Sequence, residues 1–293
     1  MTLIVTITRP ATIWLLADRR LSGAGRGPKD DACKVMFLET TDGKAILGYT
    51  GVGATGLGNQ PADWMARVLH GKNLPLEQSL GVLADEMKKQ LPRHMNSMPA
   101  PAHSVFATTF LANKPRLYGI EMFSRDRRQY FFRYTYFFVD GNERRPPWLI
   151  VGGSGLDALS KDKVWIPPLL QILRWHDRGQ VPTLAVADHL AKLNHQVHLG
   201  DKTVGPRCIV AWRHKAGGIH MGGSSQQLYN GTARDDASEI AIPWIVTGHD
   251  HRAIIGSIWP QMLQALKSRT PFDGAAMQQA LDGLPRKSDE NLK

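Results

Sequence analysis

Strand-like and helix-like segments come in blocks along this chain instead of alternating, and that order constrains the fold more than any other feature. Leu3 to Thr8 is apolar and β-branched, Arg9-Pro10-Ala11 breaks it, and Ile13 to Ala17 resumes, which predicts a hairpin. After a Gly-rich, charged loop from Ser22 to Asp31, Lys34 to Leu38 and Ala45 to Tyr49 predict a second strand pair about the turn Thr41-Asp42-Gly43. Two helices are expected next. One opens at Pro61-Ala62-Asp63 and runs to about Leu69; the other carries Leu76, Leu80, Leu83, Ala84, Met87 and Leu91 at helical spacing. Strand patterns return at Ser104 to Leu111, Arg116 to Met122, Gln129 to Val139 and Trp148 to Val151. Helices then cover Leu156 to Arg178, interrupted at Pro167-Pro168, and Thr183 to Val197 with Thr183 as N-cap. Strands Arg207 to Arg213 and Ile219 to Gly222 follow, and beyond Ser224 a helix is expected over Ile254 to Leu266, with a disordered polar tail from Leu284 to Lys293. Segregated blocks argue against a parallel βαβ fold. They predict an α+β protein of mainly antiparallel sheets with helices packed outside.

Composition narrows the class. With 42% hydrophobic and 21% charged residues, the 293-residue chain can bury a large core and fits no disordered, collagen-like or coiled-coil pattern. Its longest apolar runs, such as Trp148 to Val151 and Ile240 to Val246, fall far short of the roughly 18 residues a membrane span needs. No basic residue precedes the first apolar run, the wrong order for a secretory signal, so a cytoplasmic location is expected. Cys33 and Cys208 lie far apart without CxxC spacing and are expected to be small core residues. The excess of 36 Lys and Arg over 26 Asp and Glu, a net +10, is scattered along the chain and bears on solubility more than on nucleic-acid binding.

The residue with most chemical content is Thr2. Methionine ahead of a small residue is normally removed after synthesis, which here leaves Thr2 with a free α-amine beside its own hydroxyl. A hydroxyl is a weak nucleophile until its proton is taken, and an α-amine with a reference pKa of about 7.7–8.0 is partly neutral near physiological pH. Asp18 follows sixteen residues on, within Leu16-Ala-Asp-Arg-Arg20, and Lys34 another sixteen on, each at a predicted strand boundary. An ammonium near the hydroxyl lowers its pKa, and a carboxylate beside that lysine keeps it charged and oriented. The plainer alternative is a strand start, a surface Asp–Arg turn and a solvated lysine.

In order and spacing, Thr2-Leu-Ile-Val, Leu16-Ala-Asp-Arg-Arg, Lys34-Val, Ile46-Leu-Gly-Tyr-Thr-Gly-Val-Gly-Ala54 and Leu149-Ile-Val-Gly-Gly-Ser-Gly155 resemble proteasome β-subunits, and especially the bacterial HslV peptidase. The resemblance covers about the first 215 residues. It implies the N-terminal-nucleophile hydrolase fold, a four-layer αββα sandwich, over residues 1–223, with 224–293 as a C-terminal extension. It further implies Thr2 as nucleophile and base, Lys34 as the pKa-lowering cation, Asp18 as its orienting partner and Ser154 as a hydrogen-bond partner of the terminal amine. The backbone N–H of Gly51 would stabilise the oxyanion, with Gly48 and Gly53 as neighbouring alternatives, and Arg20 would be structural. The activity implied is a threonine-type peptidase that needs no metal or organic cofactor. Its implied partners are a peptide or unfolded-protein substrate, further copies of itself in a homo-oligomeric ring and an ATP-dependent unfoldase. No propeptide is expected ahead of Thr2, which again resembles HslV.

One departure matters. Where the family places a serine or threonine three residues after a supporting aspartate, Asp201-Lys-Thr-Val-Gly205 has Val204, leaving Thr203 as a substitute. An inactive ring or scaffold subunit is therefore one alternative; a small-molecule amidase on the same fold is another. Three further signals are set aside. His249-Asp250-His251-Arg252 lacks a partner metal motif and reads as a turn before a helix. Gly152-Gly-Ser-Gly155 lacks a P-loop lysine. The aromatic run Tyr130 to Phe138 fits a core or interface better than a base-stacking surface, so nucleic acid is not expected as a partner.

Overall fold

The computed structural model describes residues 2–23, 26–51, 60–90, 103–126, 129–137, 148–161, 163–216, 228–230 and 242–251. Six strands come first: β1 (Ile4–Thr8), β2 (Thr12–Asp18), β3 (Leu21–Gly23), β4 (Arg26–Lys29), β5 (Val35–Glu39) and β6 (Gly43–Thr50). Helices α1 (Pro61–Leu69) and α2 (Leu76–Gln90) follow, then β7 (Ser104–Leu111), β8 (Lys114–Asp126), β9 (Gln129–Phe137) and β10 (Trp148–Gly152). The third block is α3 (Gly155–Lys161), α4 (Ile166–Asp177) and α5 (Thr183–Gly200), and the chain continues through β11 (Cys208–His214), β12 (Leu228–Asn230), β13 (Trp244–Val246) and β14 (His249–Asp250).

Two sheets form the centre. One is five-stranded and antiparallel throughout, in the order β10-β1-β2-β11-β12. The other is seven-stranded, β14-β13-β5-β6-β7-β8-β9, and antiparallel except for the β13–β5 pair. Side chains alternate across a strand, so a strand covered on both faces reads as a continuous apolar run, as β1, β2 and β5 do. In β2, Trp14 and Leu16 join the layer under α3, α4 and α5, whereas Ile13, Leu15 and Ala17 face the opposite sheet. In β5 and β6, Met36, Leu38, Ala45, Leu47 and Tyr49 pack under α1 and α2, and Val35, Phe37 and Ile46 point between the sheets. Three apolar layers separate four layers of structure, and the fold is an αββα sandwich.

Two buried ion pairs join the sheets, one at each end. Lys34, just ahead of β5, meets Asp18 at the end of β2. At the far end of β5 the carboxylate of Glu39 accepts from the Arg213 guanidinium of β11 and from Trp244 Nε1 at 3.2 Å. Both members of this second pair are 2% exposed.

Several expectations change. The Gly-rich segment after Asp18 contains the small β3–β4 hairpin. Pro167 and Pro168 do not interrupt one long helix; they occupy the first turn of α4, where a missing N–H costs nothing, and α3 is a separate helix. Thr183 is not the N-cap of α5. Pro182 holds that position, and the Thr183 hydroxyl bonds with His176 Nε2 at 3.0 Å and His214 Nε2 at 3.4 Å instead. His249 and Asp250 form an edge strand paired with β13 across Thr247 and Gly248, whose φ angles of 47° and 88° give a tight hairpin. The strand expected at Ile219–Gly222, the helix at Ile254–Leu266 and the tail from Leu284 lie outside the described residues. No helix among the described residues is long and apolar enough to cross a membrane.

The sheets approach closely at Gly48, where a Cβ would sit 2.9 and 3.0 Å from the two methyls of Leu15 and 3.2 Å from Ile4 Cδ1. Gly48→Ala is expected to destabilise the fold by about 1–3 kcal/mol through overpacking, and Leu15→Ala by about 2–5 kcal/mol through a cavity. Urea denaturation of the double variant should show a loss smaller than the sum, because each change relieves the other. Additive losses would contradict this packing.

Candidate active site

Thr2, Asp18, Lys34 and Ser154 meet at one edge of the sandwich because each sits at or just beyond a strand end there. Strand β1 pairs with β2 so that Ile4 faces Ala17, and one step outward Leu3 and Asp18 come opposite each other. Strand β1 also pairs with β10, Ile4 facing Gly152; two steps further along that register bring Thr2 opposite Ser154. Lys34 reaches the same edge from the other sheet, its carbonyl accepting the N–H of Tyr49 at 2.9 Å.

Lys34 Nζ donates to Thr2 Oγ1 and to Asp18 Oδ1, both at 2.9 Å. Asp18 is fully buried and its carboxylate is saturated. Oδ1 also accepts the N–H of Leu3 at 2.9 Å, and Oδ2 accepts the N–H groups of Arg20 at 3.0 Å and Gly205 at 2.9 Å. Backbone donors from three places in the chain therefore hold the carboxylate that holds the lysine. Burial pushes the Lys34 ammonium below its ordinary lysine pKa, and the charge and hydrogen bond of Asp18 act in the opposite direction.

The nitrogen of Thr2 is met separately. It donates to Ser154 Oγ at 3.2 Å, and Ser154 Oγ lies 3.3 Å from Thr203 Oγ1. Thr203 in turn donates from both its hydroxyl (2.6 Å) and its N–H (2.9 Å) to Asp201 Oδ1. A polar chain thus runs from Thr2 N through Ser154 and Thr203 to a carboxylate. Val204 does not take part; it is buried in the layer beneath α3–α5. The signal in the sequence was the Asp-x-Thr spacing, in which the aspartate bonds the backbone and hydroxyl two residues on.

Glycines make the approach feasible. A Cβ on Gly153, whose φ is 86°, would run into the carbonyl oxygen of Thr2 and lie 3.0 Å from Thr50 Oγ1. Gly51, next to Thr50, has φ 140° and directly follows β6. Gly48 lies mid-ladder between β5 and β7, and Gly53 is outside the described residues. Arg20 braces the surroundings: its guanidinium grips Asp30 with two bonds of 2.6 and 2.7 Å and also donates to the Lys202 carbonyl. That pairing raises the Arg20 pKa and holds the Asp30 carboxyl below its usual value. Sequence reading missed the buried hydrogen bond between Tyr49 and His103 beside Gly51. Among the described residues, no group of three or more His, Cys, Asp or Glu side chains is placed to hold a metal ion.

No protein-family model matches the chain, and no curated protein matches it by sequence. Among solved structures it is similar to Anbu, an ancestral β-subunit, from Yersinia bercovieri, with a TM-score of 0.49 and 12% identity over 92% of this chain and 97% of that one. Anbu from Hyphomicrobium sp. strain MC1 gives a TM-score of 0.47 and 11% identity over 92% and 98%. HslV from Trypanosoma brucei gives 0.41 and 17% over 72% and 98%.

Proposed function

We propose that this protein is an amide-bond hydrolase of the threonine N-terminal-nucleophile class, a proteasome-like peptidase in which Thr2 becomes the first residue. One observation carries the reading: Lys34 Nζ stands 2.9 Å from Thr2 Oγ1 while the nitrogen of the same threonine is engaged by Ser154. Nucleophile, base and pKa-lowering cation then occupy a single locus.

In this scheme the Thr2 amine takes the proton of Oγ as Oγ attacks the substrate carbonyl, aided by the positive charge of Lys34. The Gly51 N–H stabilises the oxyanion. The amine passes its proton to the departing nitrogen, leaving an ester on Oγ; water then attacks that ester with the amine again as base, freeing the acid and restoring the hydroxyl. The chain of Ser154, Thr203 and Asp201 orients the amine. Val204 is the main argument for an inactive subunit, and the Thr203 hydroxyl 3.3 Å from Ser154 supports the active reading instead. No metal or organic cofactor enters the scheme. Peptides or unfolded proteins are the proposed substrates, with a cytoplasmic setting, a homo-oligomeric ring and an ATP-dependent unfoldase belonging to the same reading. Support for assembly comes from the helical layer α3–α5, which exposes Leu156, Trp175, Leu184 and Leu199.

Thr2→Ala is expected to abolish cleavage of fluorogenic peptides with the circular dichroism spectrum unchanged, and Thr2→Ser to retain part of it; an active alanine variant would sink the assignment. Lys34→Met should lower kcat on the order of 10²–10³-fold, the scale of losing one preorganised electrostatic group.

The pH profile should be bell-shaped. Activity rises as the α-amine loses its proton, about pH 7.7–8.0 for an unperturbed amine. It falls as Lys34 loses its own, and because burial lowers that pKa the alkaline limb lies on the acid side of 10.5. Asp18 is the leading influence that raises the Lys34 pKa, ahead of Asp30, so Asp18→Asn should move the alkaline limb to still lower pH. A limb that stays in place would contradict the role given to the pair.

A further inference from the structure

Strands β6 and β7 pair with Tyr49 opposite Val105 and Thr50 opposite Ser104. One further step along this register sets Gly51 opposite His103, at the point where β6 ends. There the imidazole lies against the glycine: a Cβ on Gly51 would be 2.5 Å from His103 Nδ1 and 3.1 Å from both its Cα and its Cγ. His103 is 2% exposed, and its Nδ1 shares a hydrogen bond of 2.6 Å with the Tyr49 hydroxyl. The phenol is fixed in turn by edge-on packing against Trp64 of α1, with centroids 6.4 Å apart. Burial raises the Tyr49 pKa, so the phenol keeps its proton and remains able to donate.

The geometry is two-sided. Thr50, immediately before Gly51, sits with Oγ1 beside Gly153, which abuts the Thr2 carbonyl; the imidazole lies against Gly51 itself, hydrogen-bonded to Tyr49 of the layer under α1 and α2. An aliphatic side chain could fill that volume without the cost of burying a ring nitrogen. What histidine adds is a hydrogen bond that sets the rotation of a flat ring, and with it the shape of the wall that Gly51 meets.

We propose that His103, oriented by Tyr49, is a positioning residue for the oxyanion site: its ring holds Gly51 in the positive-φ conformation that aims the Gly51 N–H at the carbonyl attacked by Thr2. The inference rests on Thr2 being the nucleophile. It assigns the residues that keep the Gly51 donor preorganised, so that no reorganisation is needed as charge develops.

The test uses the full-length protein, wild type and the variants His103→Ala, His103→Asn and Tyr49→Phe, each treated with two electrophiles and followed by intact mass. A β-lactone acylates Oγ through a tetrahedral oxyanion; a peptidyl vinyl sulfone adds to Oγ without forming one. His103→Ala and Tyr49→Phe should slow acylation about 10-fold or more, short of the 10²–10³-fold seen when an oxyanion donor is removed outright. Their vinyl sulfone rates should stay within about two-fold, because the Thr2, Lys34 and Asp18 groups are untouched. His103→Asn can place Oδ1 where Nδ1 stood and should recover most of the β-lactone rate. If β-lactone and vinyl sulfone rates fall together, or neither falls, the positioning role is overturned while the Thr2 reading stands. If wild-type Thr2 reacts with neither reagent, both fall. Tyr49→Phe and His103→Asn decide the matter should His103→Ala fail to fold.

Discussion

An ammonium and a carboxylate removed from water must satisfy each other, and the pairing of Lys34 with Asp18 is the constraint on which this end of the molecule is built. Burying either charge alone carries a large desolvation penalty, and removing one partner of such a pair commonly costs about 3–5 kcal/mol. Asp18 is accommodated because it accepts from the N–H groups of Leu3, Arg20 and Gly205 as well as from the lysine. Those donors belong to the start of β1, the exit of β2 and the approach to β11. One carboxylate therefore ties three neighbouring segments of the five-stranded sheet to a cation carried by the other sheet.

The sandwich carries a comparable pair at its opposite end, where Arg213 of β11 meets Glu39 of β5. Both pairs cross between the sheets and both are buried. They differ in what surrounds the cation. Arg213 faces a carboxylate and, at 6.0 Å, the ring of Phe37, whereas Lys34 has a hydroxyl within 2.9 Å. In the proposed reading that hydroxyl is the nucleophile, which gives the Lys34–Asp18 pair a chemical use that the Arg213–Glu39 pair is not assigned.

Much of this was legible in the sequence for identifiable reasons. Strands covered on both faces leave long apolar runs, so β1, β2, β5 and β6 stood out, and Thr2, Asp18 and Lys34 could be placed at their ends. Ser154 was marked by the resemblance of its Gly-Gly-Ser-Gly turn to the proteasome-like family, and the structure adds that Gly153 of that turn abuts the Thr2 carbonyl. The β3–β4 hairpin was obscured because its strands are short and its residues glycine-rich and charged. The β13–β14 hairpin turns through Thr247, a residue that seldom marks a positive φ. Thr183 had the chemistry of an N-cap, but two histidines compete for its hydroxyl, one of them from β11. Local pattern could not show that Thr203 bonds Ser154 across 49 residues, or that His103 bonds Tyr49 across 54. Such contacts exist only once distant segments have been brought together by strand pairing within each sheet.

The most direct measurement is the mass of the N-terminal peptide from purified protein before and after exposure to an epoxyketone, a reagent that bonds to the hydroxyl and the free amine of the same residue. The account predicts that Met1 is absent and that the adduct joins both groups of Thr2. Retention of Met1, or an adduct at any other residue, would contradict it.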